Sequence, residues 1–278
     1  MSAADEGAGV AGFDGNGEDM LGIGAFVSEP WQGLSESEVA AKDALVSRIN
    51  DEYGPDLAIT GPIADEIMVR AEDTAIGWAY REMLSSPMGD DVYRRATSEL
   101  LGDALMSDFF YAPASTRFHL CAEGGLSLHS LSVSDYCVSM VGNDRDAQEE
   151  LGEHWKPIAV ICAMFHDACK IGYYEPGTNL RNGAAYRVSE DRHGDHEHGE
   201  RSVRMLRRYY GDALPQCAYD AVEWHMGEFD HRIAPPRWEH VTSEEQADAI
   251  ATRDRLMRES PFVRILHEAD MASTQAGL

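Results

Sequence analysis

Residues 157–172 read Pro157-Ile158-Ala159-Val160-Ile161-Cys162-Ala163-Met164-Phe165-His166-Asp167-Ala168-Cys169-Lys170-Ile171-Gly172. The eight residues Ile158 to Phe165 are all apolar, a proline stands where a first helical turn tolerates one, and a glycine closes the stretch. That pattern predicts a helix over Ile158–Cys169 buried on every side. His166 and Asp167 then fall at the C-terminal end of a core helix, where polar side chains are not placed by chance.

Outward from this helix, almost every segment carries the helical period. Downstream, Gly199–Tyr210, Pro215–Met226 and Pro261–Ala272 read as helices, the last with Ser260 as N-cap and Pro261 at its first position. Upstream, Gly124-Gly125 opens a helix with Leu128, Leu131 and Val138 on one face and His129 in its first turns. Tyr173–Asp195 is polar and glycine-containing, which predicts a long loop or a small hairpin beside a site. Further toward the N-terminus, Ser35-Glu36-Ser37-Glu38 forms a capping box ahead of a helix to about Glu52; others follow over Ile63–Leu84 and Asp91–Phe110, before a break at Ala112-Pro113-Ala114-Ser115. Residues 1–30, rich in Gly, Ala, Asp and Glu, read as a flexible or loosely docked arm. The fold class is all-α, divided into that arm, a helical N-terminal extension over 31–111, and a main helical domain from 112 to 274.

Charge narrows the function. The 278 residues carry 23 Lys and Arg against 49 Asp and Glu, a net −26, and such a surface repels long polyanions. Five cysteines, an odd count without a Cys-x-x-Cys pair, argue against a disulfide framework or a thiolate zinc site and read as buried, reduced thiols. The longest apolar run is far short of the ~18 residues of a membrane span, and the N-terminus lacks a signal-peptide pattern, so the expectation is a cytoplasmic protein.

Six residues form the candidate site: His129, His166, Asp167, His198, His225 and Asp270. Leu266 and Asp270 are four apart, while Ala218, Ala221, Val222 and His225 follow the i, i+3, i+4, i+7 pattern; Asp270 and His225 should therefore face inward. A single inward histidine is ordinarily a hydrogen-bonded core residue. An inward carboxylate, by contrast, must be paired or bound to a cation, because stripping water from a lone charge costs several kcal/mol. Four histidines and two aspartates at such positions make a metal cage the better reading. Imidazole with carboxylate suits Mn, Fe, Co, Ni, Zn or Mg, and such a site activates water and clamps phosphoryl oxygens.

The order His, His-Asp, His, His, Asp resembles the HD superfamily of metal-dependent phosphohydrolases, an all-helical fold, over about Ala112–Thr274. Three stretches, Ala112-Pro113-Ala114-Ser115-Thr116-Arg117-Phe118-His119, Glu123-Gly124-Gly125-Leu126 and Leu128-His129-Ser130-Leu131-Ser132-Val133, resemble the start of the HD domain in bacterial 3′→5′ exoribonucleases. Met164-Phe165-His166-Asp167-Ala168-Cys169-Lys170-Ile171 is similar to the HD signature, with Cys169 where glycine is usual. Glu197-His198-Gly199-Glu200, Trp224-His225-Met226-Gly227 and Leu266-His267-Glu268-Ala269-Asp270 fit the later stations, and HD proteins of phages and prophages are also similar. The resemblance implies an HD helical bundle in which His129, His166, Asp167 and Asp270 hold a first metal, with Asp167 bridging to a second held by His198 and His225. Met226 stands where many two-metal members carry a second adjacent histidine, so this second position is one ligand poorer. Without a second ion, His198 and His225 would contact phosphate.

Around the six, Lys170 either stabilises phosphoryl oxygens or pairs with an acidic neighbour. Arg117 and His119 resemble positions lining the family's substrate pocket. Trp224 either stacks a base or packs in the core. His193 and His196 read as solvated loop residues, and His267 as structural. The expected function is a metal-dependent phosphohydrolase of the nucleotidase, phosphodiesterase or exonuclease class. It would use one or two divalent ions on a nucleotide or the 3′ end of a short single strand, with Asp167 and Lys170 catalytic. The alternative is a catalytically weak metal- and nucleotide-binding HD protein that regulates or binds partners. Neither long duplex nor membrane is expected as a partner; a homo-oligomer is compatible with either reading.

Overall fold

A computed structural model of the chain describes residues 93, 95–97, 99–100, 109, 112–116, 120–121, 124–177, 186–190, 197–236 and 240–275. They are mostly helical. In order come α1 (Gly125–Gly142), α2 (Arg145–Leu151), α3 (Trp155–Phe165), a 3-10 turn (Ala168–Lys170), β1 (Tyr174–Pro176), β2 (Tyr186–Val188), α4 (His198–Tyr210), α5 (Gln216–Trp224), a second 3-10 turn (Gly227–Phe229), α6 (Ser243–Glu259) and α7 (Pro261–Gln275). The polar segment after α3 forms the small hairpin, β1 pairing antiparallel with β2. The helices read over Glu36–Glu52 and Ile63–Leu84, and the arm before them, lie outside the described residues.

The apolar run that opened the sequence reading becomes α3, buried from Pro157 through Phe165. Each large aliphatic or aromatic side chain buried there contributes roughly 1.5–3 kcal/mol. Two boundaries differ from expectation: α3 begins two residues before Pro157 and ends at Phe165, not Cys169. A helix end leaves carbonyls without partners. His166 Nδ1 donates to Ala163 O at 2.7 Å and takes up one of them, after which the backbone departs from helical geometry at Asp167. The end of α5 repeats the device, His225 Nδ1 donating to Val222 O at 2.7 Å.

α1 packs on α3 and α7, α7 also packs on α5, and α5 touches α3 and α4. The start of α1 is wedged in: an added Cβ on Gly125 would overlap the backbone of Leu120 and Ala114. On α4, Gly199, Ser202, Val203, Leu206 and Tyr210 are buried, a stripe at helical spacing. Ser260 Oγ accepts from Val263 N at 3.2 Å, the expected cap of α7. Two helices were not anticipated, α2 and α6. α6 starts on a capping box between Thr242 and Glu245 and buries only Ala249 and Leu256, too little apolar periodicity to announce itself. Upstream, Tyr93, Ala96 and Leu100 join the same core, and Tyr93 Oη donates to Ala213 O at 2.8 Å.

Candidate metal centre

The six predicted residues converge from five elements. His129 comes from α1, His166 and Asp167 from the turn after α3, His198 from the first residue of α4, His225 from the residue after α5, and Asp270 from α7. Three overlapping groups result: His129, His166 and Asp270; His166, Asp167 and His225; and Asp167, Cys169 and His198. Within each, one nitrogen, oxygen or sulfur per residue lies within 4.8 Å of the others, so each could hold a metal ion.

Asp167 is the hub. Its Oδ1 accepts from His198 Nε2 at 2.7 Å and lies 3.6 Å from His225 Nε2. Its Oδ2 accepts from Lys170 Nζ at 2.6 Å and lies 3.4 Å from His166 Nε2 and 3.7 Å from His129 Nε2. Asp270 Oδ1 is 3.1 Å from His129 Nε2 and 3.9 Å from His166 Nε2. Exposure across the cluster is uneven, highest at its two ends and least at its centre. His198 keeps 29% of its side chain exposed and Asp270 12%, whereas Asp167 keeps 3% and His166 and His225 none.

The rings are oriented by what their other nitrogens touch. Carbonyl oxygens only accept, so in His166 and His225 the Nδ1 atom carries a proton and Nε2 is turned toward the cluster; in His225, which burial keeps neutral, that Nε2 presents a lone pair. A third ring is steadied similarly, with His129 Nδ1 3.3 Å from Ser273 Oγ. Hydrogen bonds of this kind at the far ring nitrogen fix tautomer and direction in metal-ligating histidines. His225 Nε2 is buried and has no hydrogen-bond partner among the described residues, an acceptor aimed at a carboxylate oxygen that cannot donate to it. A cation between them resolves that conflict, and a neutral pair leaves it standing.

Electrostatics agree with this geometry. Burial lowers the pKa of His129 and of His225, favouring the neutral ring in both, whereas against burial Asp167 raises that of His166. Burial would raise Asp167, but Lys170 beside it, helped by His166 and His198, holds its carboxyl well below the usual range. Asp270 is likewise pulled down against burial by its hydrogen bond to His129. For His198, burial opposes protonation, yet Cys169 and Asp167 raise its pKa to about 10.

Lys170 is bound to Asp167, so the acidic-neighbour pairing considered for it is present, and its ammonium stands beside the hub. Trp224 is a core residue, 5% exposed, with the Arg232 guanidinium 3.8 Å above its ring. His267 is structural, its Nδ1 donating to His225 O at 2.6 Å and tying α7 to the end of α5. Arg117, His119, His193 and His196 lie outside the described residues. Sequence reasoning missed Cys169 and Ser273. The signal for Ser273 was its i+3 spacing from Asp270; the signal for Cys169 was a thiol two residues past the hub aspartate. None of the family models, curated proteins or solved structures compared with the chain matches it.

Proposed function

We propose that the protein is a metal-dependent phosphohydrolase acting on a nucleotide or on the 3′ end of a short single-stranded nucleic acid, in keeping with the resemblance of its His/Asp order to the HD superfamily. One observation carries the reading: a buried carboxylate, Asp167, within 3.7 Å of all four imidazoles, one of which ends in an unpartnered lone pair. The donor set fits one or two divalent transition ions, Mn, Fe, Ni, Co or Zn, with Mg compatible through the carboxylates. His129, His166, Asp167 and Asp270 would hold one ion, Asp167, His198 and His225 a second. A divalent cation bound there supplies positive charge for phosphoryl oxygens and makes water a nucleophile near neutral pH.

The chain's own residues supply the rest. Lys170 places its ammonium beside Asp167, where it balances that carboxylate and would add positive charge for an anionic group held at the cluster. The carbonyls of Ala163 and Val222 keep two rings in one tautomer, so the cage is organised before any substrate arrives. The test combines elemental analysis of the purified protein with phosphate release from nucleotides, cyclic dinucleotides and short single strands, with and without chelator. About one or two ions per chain and turnover that chelator abolishes are expected. Full turnover without metal sinks the reading. Bound metal without turnover on any of these substrates leaves the binding-protein alternative in its place.

A further inference from the structure

We propose that Cys169 is itself a ligand, its thiolate joining Asp167 and His198 in a thiophilic position at the exposed end of the cluster that takes Zn, Fe or Co in preference to Mg or Mn. The inference rests on the metal-centre reading above and adds the identity of a ligand and the class of ion it selects.

Local structure puts the sulfur there. Cys169 lies in the 3-10 turn that follows Asp167, and its backbone N–H donates to Ser202 Oγ at 3.1 Å, pinning the turn against α4. α4 begins with His198, so one contact fixes both side chains relative to each other. The residue is 4% exposed, and its Sγ is 3.0 Å from His198 Nδ1 and 3.8 Å from Nε2. A thiol hydrogen-bonded in line with the Nδ1 lone pair would stand far from the other nitrogen. Here both nitrogens are close, so the sulfur stands beside the ring, within reach of the Nε2 that meets Asp167 Oδ1 at 2.7 Å. Sulfur, nitrogen and carboxylate oxygen all lie within 4.8 Å of one another. Small side-chain adjustments bring such a set to bonds of about 2.0–2.3 Å around one ion.

A second observation points to the same place. His225 Nε2, fully buried and without a hydrogen-bond partner among the described residues, is 3.6 Å from that same Asp167 Oδ1. Asp167 thus joins two three-donor groups, one with His166 and His225 and one with Cys169 and His198, and only in the second is a soft sulfur present. A thiolate favours zinc and similar borderline ions over the hard cations that oxygen ligands suit. On binding, the Sγ–H bond and the His198 Nε2–H bond that points at Asp167 break, both protons leave to solvent, and sulfur and nitrogen bind the ion with no change in oxidation state.

The test is cobalt substitution of the full-length metal-free protein, read by absorption. Co(II) is expected to bind and to give a sulfur-to-metal charge-transfer band in the near ultraviolet, absent in Cys169→Ser and retained in Cys217→Ser. Should serine not fold at 169, Cys169→Ala gives the same reading. X-ray absorption on the zinc-loaded wild-type chain needs no variant and should show sulfur at about 2.3 Å. Cobalt bound without the band, or a band that survives loss of Cys169, or a zinc shell of nitrogen and oxygen alone, overturns the inference and leaves the metal centre intact. No binding of cobalt or zinc at all removes both.

Discussion

A carboxylate as crowded as Asp167 cannot be replaced quietly. Its two oxygens serve His198 and His225 on one side and Lys170, His166 and His129 on the other. Asp167→Ala is therefore expected to empty the centre of all ions and to abolish activity, whereas His198→Ala, at the exposed end, should retain an ion at the His129, His166 and Asp270 group. Elemental analysis of the two variants decides it, and the reverse pattern would invalidate the roles assigned. The aspartate variant also strands Lys170, only 14% exposed, without its counter-charge, and loss of one partner of a buried pair destabilises by roughly 3–5 kcal/mol. The six candidate residues could be picked out in the sequence because each sits on an apolar helical face or at the end of one, and the structure brings them together. Cys169 could not, since a thiol among apolar residues reads as core until a histidine from another helix is seen 3.0 Å away.

Helix packing sets the separation between His198 and His225. Gly199 is where α4 meets α5, and an added Cβ would overlap the backbone carbonyl of Glu223. Gly199→Ala must therefore push the start of α4 away from α5, carrying His198 from Asp167. A loss of about 1–3 kcal/mol in urea unfolding is expected, together with selective weakening of the second metal position in a titration. Unchanged metal stoichiometry in a destabilised variant would show that the centre tolerates the shift. The helices that carry the candidate residues were visible from their apolar stripes, and α7 also from Ser260 and Pro261. α2 is short, and α6 is polar over most of its surface, so neither had a periodic signal to find. The true end of α3 was hidden because apolar Ala168 and Cys169 continue the pattern past the point where His166 takes over a backbone carbonyl.

Taken whole, the chain is strongly acidic, and the described arginines are largely committed: Arg187 to Glu175, Arg204 to Glu197, Arg264 to Asp144, and Arg232 to Asp230, Glu200 and Glu223. A long duplex gains affinity by neutralising many phosphates along a basic track, with a steep salt dependence. This surface offers little such track, so a mononucleotide or short single strand should outcompete long duplex, with only shallow weakening as salt rises. Competition at two salt concentrations measures it; duplex cleaved as fast, with affinity falling steeply in salt, would place the substrate class elsewhere. Among the described residues no helix is long and apolar enough to cross a membrane. The uneven exposure of the cluster, 29% at His198 against none at His166 and His225, also bears on how cations come and go. With both proposed positions filled, exchange with bulk water would start at the lip formed by the first turn of α4, and a chelator is expected to empty the protein in two kinetic phases, the ion beside His198 leaving first.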